Sequence, residues 1–219
     1  MGALRSILAA LAVTGLVSCG QTEHSPTLVS YPLALDPDCR DGRAKIYDQC
    51  SNQLDLLNAA RARAAAEGKT VLVSYGAEWC IWCHVFDKYI AGEADTFTYT
   101  YGEPGAPEKW TDTLFERSTG DAAGEAKALK TFVAEQFVVA HINREFAEAS
   151  DEVLAFTGAD THYPGWIPYI FAIDADGQYV GQVYHEDVEV RRDTDDWYRG
   201  YDRVKMLAIL KDLDTGARP

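Results

Sequence analysis

Residues Thr70 to Tyr75 read TVLVSY, and a short turn then leads into Cys80-Ile81-Trp82-Cys83. No other feature restricts the fold of this chain as strongly. The run is continuous and β-prone, with no polar alternation, so it suits a strand covered on both faces. The stretch Cys80 to Ile90, CIWCHVFDKYI, reads as a helix beginning at the first cysteine. Two cysteines separated by two residues at a helix start lie close enough to bond. The unpaired N–H groups and the dipole of that helix favour a thiolate at the first of them. Cys80 is therefore expected in an exposed turn as an attacking nucleophile. Cys83 is expected one turn further in, partly covered, as the resolving thiol.

The flanking segments supply the remaining elements. Asn52 to Glu67 places Leu54, Leu57, Ala60 and Ala64 at helical spacing and stops at Gly68, a good helix C-terminal residue. Residues 91–124 are rich in Gly, Thr, Pro and charge and read as an insertion after the CxxC helix, partly ordered by Tyr99, Tyr101, Trp110 and Phe115. Glu125 to Gln136 reads as a helix and Phe137 to Ile142 as a second strand. Ser150, with Asp151 and Glu152 behind it, is the N-cap candidate of a short helix reaching about Thr157. Pro168 to Ile173 and Tyr179 to Tyr184 read as strands joined by a hairpin turn over Asp174 to Gly177. Arg203 to Leu213 closes the chain as an amphipathic helix. Helix and strand alternate first and a hairpin follows. The pattern predicts an α/β fold with a mixed central sheet and helices on both faces.

The N-terminal residues have a different character. Met1 to Ser6 carries one charge, Arg5, and Ile7 to Val17 is apolar and small. That layout fits a signal peptide over residues 1–18, too short to span a bilayer as a permanent helix. Leu16-Val17-Ser18-Cys19 resembles the bacterial lipoprotein box, which implies lipid on Cys19 and a membrane partner through that anchor; a plain secretory leader is the alternative. Gly20 after the cysteine resembles outer-membrane sorting, placing the protein on the periplasmic side of a bacterial membrane. Residues 19–38 read as a tether and residues 39–219 as the domain. The formal net charge of −14 would repel phosphates, so no nucleic-acid partner is expected.

Of the five cysteines, Cys19, Cys39, Cys50, Cys80 and Cys83, lipidation of the first leaves an even number in an oxidising compartment. If Cys80 and Cys83 are a redox pair, Cys39 and Cys50 remain. A structural disulfide closing a short loop before the first helix is the first reading. A second redox couple and a pair of free thiols are the alternatives.

The run Val71 to Cys83, VLVSYGAEWCIWC, resembles the thioredoxin signature of apolar strand, small-residue turn, Glu-Trp and CxxC. Its continuation, His84 to Tyr89, resembles the periplasmic thioredoxin-like domains of thiol:disulfide interchange lipoproteins. Gly165-Trp166-Ile167-Pro168 resembles the loop in which thioredoxins carry a cis-proline facing the CxxC. The resemblance spans roughly Asn52 to Leu213, interrupted by the insertion. It implies a thioredoxin-like fold and dithiol–disulfide exchange through Cys80 and Cys83, with no cofactor beyond the redox-active disulfide. It also implies envelope protein substrates with cysteine pairs, an upstream electron donor, and a substrate strand paired to the backbone at Ile167 before Pro168. Trp79, Glu78, Ile81, Trp82 and His84 are the supporting residues.

Two departures matter. Ser74 stands where thioredoxins place a buried Asp, and a hydroxyl is no general base at neutral pH. Glu78 could substitute through water, or be a surface carboxylate. The dipeptide between the cysteines is Ile81-Trp82 rather than Gly-Pro, which leaves the direction of electron flow open; the residues after the motif resemble the reducing branch.

Rival readings use the same residues. Cys80 to His84 also satisfies C-x-x-C-H, the c-type haem attachment pattern with His84 as iron ligand. Against it stand the core strand before the motif and Met206, the only methionine after the leader, set among apolar helix residues. Without haem, His84 is either a solvent-facing helix residue or a modulator of the cysteine pKa. No metal site is expected, since no second close-spaced Cys/His pair exists and His141, His162 and His185 are scattered. A thioredoxin-fold binding module without turnover is the remaining class. Trp79, Trp82, Tyr163 and Trp166 either form an apolar rim around the thiol or pack the turn.

Overall fold

The computed structural model describes residues 26–94, 97–101, 108–112, 121–190 and 200–218. The leader and Cys19 lie outside the described residues. In chain order the elements are β1 (Val29–Tyr31), α1 (Gln53–Glu67), β2 (Thr70–Gly76), α2 (Ile81–Ile90), β3 (Phe97–Tyr101), β4 (Glu108–Asp112), α3 (Ala122–Gln136), β5 (Phe137–Asn143), α4 (Ser150–Thr157), β6 (Tyr169–Ile173), β7 (Tyr179–Val183), α5 (His185–Val188) and α6 (Arg203–Ala217), with 3-10 turns at Cys39–Gly42 and Ala159–His162.

The apolar run Thr70–Gly76 sits at the centre of a five-stranded sheet ordered β1-β5-β2-β6-β7. β2 runs parallel to β5 and antiparallel to β6, so the sheet is mixed. Every residue of β2 and of β5 is buried, as a strand covered on both faces requires. One face carries Leu72, Val139 and Ile170 against Val85, Phe86 and Tyr89 of α2, Leu129 of α3 and Met206 and Leu210 of α6. The opposite face carries Val73, Tyr75, Ala140 and Phe171 against Leu57 and Ala60 of α1 and Val153 of α4. The architecture is the expected thioredoxin-like α/β fold, with helices on both faces of one sheet.

Local chemistry sets the ends of the elements. The Asn52 side chain accepts from the amides of Leu54 and Asp55 and starts α1, and Gly68 ends it at φ 65°. Asp202 caps α6 by accepting from the Lys205 amide, and that helix continues beyond Leu213 to Ala217. The β6–β7 turn closes with the Gly177 amide bonded to the Asp174 carbonyl and Gly177 at φ 85°.

Three expectations are corrected. Residues 19–38 are not wholly a tether, because Val29–Tyr31 pairs in parallel with Val138–Ala140 and forms the sheet edge. A three-residue strand beside prolines carries too little periodicity to be read from sequence. Ser150 does not cap α4: the cap position belongs to Ala149, and the Ser150 hydroxyl donates instead to the Ala147 carbonyl. Within the insertion, β3 and β4 pair antiparallel as a separate two-stranded sheet, and α3 begins at Ala122, three residues before the expected start.

Phe86 is fully buried between α2 and the sheet, whereas Asn52 contributes only a helix cap. Phe86→Ala is expected to lower the unfolding free energy by about 3–5 kcal/mol and Asn52→Ala by about 1 kcal/mol. Urea unfolding followed by circular dichroism checks the order; equal losses would contradict this placement of the core.

Candidate active site

Helix α2 begins at the cysteine pair. Cys80 occupies the N-cap position, and its sulfur accepts from the Cys83 amide at 3.2 Å. Cys80 and Cys83 are disulfide-bonded with their Cα atoms 5.3 Å apart, and Cys39 and Cys50 are bonded at 5.9 Å. Ile167, joined to Pro168 by a cis peptide bond, packs on the buried cluster that contains Cys80 and Cys83. Ile46 and Trp82 pack on the same cluster, which also contains Tyr47 and Ala77. The sequence places Cys80 in an exposed turn; in the structure it is only 4% exposed and Cys83 is 0% exposed. Part of the cover comes from Ile46 and Tyr47, in the segment between Cys39 and Cys50, an element with no readable periodicity.

That segment is held by Glu78. Its carboxylate accepts from the amides of Lys45 at 2.8 Å, Ile46 at 3.2 Å and Tyr47 at 3.1 Å. Glu78 is therefore buried and committed to the covering segment rather than lying on the surface. Burial pushes its carboxyl up to about 6, against the downward pull of the three amides. The far end of the segment is fixed by Asp48, which accepts from the amides of Cys50 and Ser51. Gln53 continues the attachment, donating to the Asp48 carbonyl and accepting from the Asn143 amide of β5.

His84 does not face solvent. It is buried, and its Nε2–H donates to the Glu78 carbonyl at 2.7 Å. Burial drives its pKa down to about 4, with the carbonyl bond opposing. In this position the imidazole braces the turn that carries Cys80. Asp87, on the next turn of α2, stands 3.4 Å from His141 of β5. Burial pushes the Asp87 carboxyl up, but the hydrogen bond to His141, helped by the Lys88 charge, more than reverses this and holds it below the ordinary carboxylate range. A cavity of about 240 Å³ lined by Lys45, Ile46, Asp87 and His141 adjoins this pair and is roomy enough for water.

Ser74 is fully buried, and its hydroxyl lies 2.9 Å from that of Tyr47. The Tyr47 ring meets His141 edge-on at 5.4 Å between centroids. Sequence reasoning missed Tyr47. Its one signal was the apolar pair Ile46-Tyr47 inside an otherwise polar stretch between two cysteines.

The aromatic residues divide. Trp79 is 39% and Trp166 45% exposed; the Trp79 indole donates to Glu145, and Trp166 meets His185 edge-on. Trp82 packs against Tyr201, and Tyr163 packs against Tyr75. Ile81 is half-buried. Among the described residues, Cys39, Asp48 and Cys50 bring ligand-type atoms within 4.8 Å of one another, but the sulfurs are bonded to each other and Asp48 is occupied by amides.

Residues 52–96 match the family model described as thioredoxin-like. Over 85 residues the chain is 30% identical to the thiol:disulfide interchange protein DsbD of Vibrio cholerae serotype O1; the match covers 39% of this chain and 13% of that protein. A disulphide isomerase structure from Xylella fastidiosa Temecula1 aligns over 76% of this chain and 86% of its own, with 16% identity and a TM-score of 0.36.

The buried imidazole has a consequence for stability. Unfolded His84 takes up a proton near 6.5, whereas folded His84 resists until about 4, so the unfolded state binds more protons between these values and stability falls as pH falls. Glu78 acts in the opposite direction between 4.5 and 6. The stability advantage of the parent over His84→Gln is expected to shrink by about 3 kcal/mol from neutral pH to pH 4, as measured by denaturant unfolding. A constant difference would contradict a buried neutral imidazole.

Proposed function

We propose that this chain, whose CxxC domain is thioredoxin-like, is a thiol-disulfide oxidoreductase tethered by lipid on Cys19 to the periplasmic side of a bacterial outer membrane. One observation carries the reading: a bonded cysteine pair at the mouth of α2, in a buried cluster on which Ile167, the residue before the cis-proline, packs. No helix among the described residues is long and apolar enough to cross a membrane. The lipoprotein-box resemblance of Leu16-Val17-Ser18-Cys19 is what supports attachment through Cys19.

In the reduced form the Cys80 thiolate attacks one sulfur of a substrate disulfide. The Cys83 amide, already aimed at Cys80 Sγ, and the α2 dipole favour that thiolate. A mixed disulfide forms and the other substrate sulfur leaves. Cys83 then attacks Cys80 Sγ, which releases the second substrate thiol and re-forms the internal disulfide. Two electrons have passed to the substrate, and an upstream dithiol donor restores them. The sulfurs carry the electrons, so no cofactor is required. The backbone at Ile167, which packs on the same cluster as the cysteine pair, pairs with the substrate chain. The substrates are envelope proteins with cysteine pairs, and net transfer is reductive.

Cys80→Ser is expected to abolish reduction of a protein disulfide, and Cys83→Ser to accumulate mixed disulfides visible on non-reducing gels. Full activity in Cys80→Ser would refute the assignment. A redox titration of the pair is expected to give a midpoint nearer about −270 mV than about −120 mV, the values of a reducing and an oxidising member of this chemistry. Cys19→Ala is expected to move the protein from the membrane to the soluble fraction; continued membrane retention would refute lipidation.

A further inference from the structure

The resolving thiol is the least accessible part of this site. Cys83 has 0% exposure, and the strand residue nearest in role to a base, Ser74, cannot act as one at neutral pH. A thiol in such a place is held in its neutral form by desolvation unless something stabilises the anion. A candidate group reaches this sulfur from outside the CxxC helix and its strand.

The backbone of Gly76 locates it. A Cβ placed on Gly76 would lie 2.5 Å from the Tyr47 hydroxyl and 2.7 Å from Cys83 Sγ. The hydroxyl and the sulfur therefore flank one point, and only glycine leaves that point open. Tyr47 is fully buried in the same cluster as Cys80 and Cys83. Its hydroxyl bonds to Ser74, which can donate to it and leave the phenolic hydrogen free to point elsewhere. Three constraints hold the tyrosine there: the Cys39–Cys50 bond, the Asp48 turn and the Glu78 carboxylate on its own amide.

We propose that Tyr47 is a catalytic residue of the dithiol reaction, its hydroxyl donating a hydrogen bond to the Cys83 thiolate during resolution of the mixed disulfide. The proposal rests on the oxidoreductase reading. In the step concerned, the Cys83 thiol loses its proton to water and the Tyr47 O–H bonds to the resulting anion. That anion attacks Cys80 Sγ. The Cys80–Cys83 bond forms, the bond from Cys80 to the substrate sulfur breaks, and the substrate leaves as a thiolate that takes a proton from water. The phenol keeps its own proton throughout. Burial and the nearby Asp87 and Glu78 charges drive its pKa up, so it acts as a donor and not as a base. The other polar and titratable groups around it are Ser74 on β2, His141 on β5 and Tyr201 before α6.

The test uses the reduced full chain mixed with an aromatic dithiobis(nitrobenzoate) disulfide. Attack by Cys80 releases one coloured thiolate and resolution by Cys83 releases the second, so the two steps are read separately. Tyr47→Phe removes the hydroxyl and keeps the ring. It is expected to leave the first release unchanged, to slow the second about tenfold at neutral pH, and to shift the pH profile of that second release about one unit alkaline. The two proteins should converge above the shifted midpoint. Ultraviolet titration of the reduced variant's thiolates gives the same shift without kinetics, and serves if the variant is less stable. An unshifted profile, or a slowing equal at every pH, overturns the proposal and leaves Tyr47 a packing residue. If the parent itself releases neither thiolate, the oxidoreductase reading fails and takes the proposal with it.

Discussion

The Glu78 carboxylate is the interaction on which the site depends. It lies two residues before Cys80, in the turn between β2 and α2, and takes three successive backbone amides from Lys45, Ile46 and Tyr47. A buried carboxylate is costly unless charge-assisted bonds replace its water. Here the replacement is partial, because burial still outweighs the amides and leaves the carboxyl raised to about 6. The arrangement couples two parts of the chain that sequence separates. Whatever displaces the CxxC turn displaces the covering segment, and the reverse. His84 adds a second brace by bonding to the carbonyl of the same glutamate.

The covering segment needs that help because it has little structure of its own. Between the three-residue β1 and the start of α1 lie only a 3-10 turn and irregular backbone. Such a stretch loses conformational entropy on ordering without a helix or ladder in return. The bond between Cys39 and Cys50 closes a loop with a sequence separation of 11, which removes much of that freedom from the unfolded chain. The placement suits a staple better than an electron relay. Its sulfurs are held beside the Asp48 turn, whereas the Cys80–Cys83 pair sits at a helix start whose amide is aimed at a sulfur.

The sequence was informative wherever one element's own pattern decided the outcome. The continuous apolar run gave β2, the helical spacing of Leu57, Ala60 and Ala64 gave α1, and the Asp174–Gly177 turn gave the β6–β7 hairpin. The reading failed where a polar residue is buried by a partner distant in sequence. Glu78 and His84 are charged and titratable types, ordinarily at the surface; the amides of the covering segment hold Glu78 inside, and the Glu78 carbonyl holds His84. Val29–Tyr31 escaped notice for a related reason, since its strand conformation is imposed by the parallel edge of β5. Tyr47 is the clearest instance: no local pattern assigns a role to one tyrosine in an irregular loop, and its neighbours are 27 residues away at Ser74 and further.

This placement also explains why residue 74 is serine. The space under α2 at that point is already filled by the Tyr47 phenol, whose oxygen lies 2.9 Å from the Ser74 hydroxyl. An aspartate there would have to displace the ring. It would also add a third acidic group beside Glu78 and Asp87, both of which already act on the Tyr47 hydroxyl as negative charges. Each further buried carboxylate raises the cost of ionising the others. A serine avoids both problems: it is small enough to sit under the ring, and it satisfies the phenol by hydrogen bonding without adding charge. The polar group that the strand does not supply comes instead from the covering segment. Because that segment is fastened to the CxxC turn through Glu78, the polar group and the sulfurs it serves stay in register when either moves.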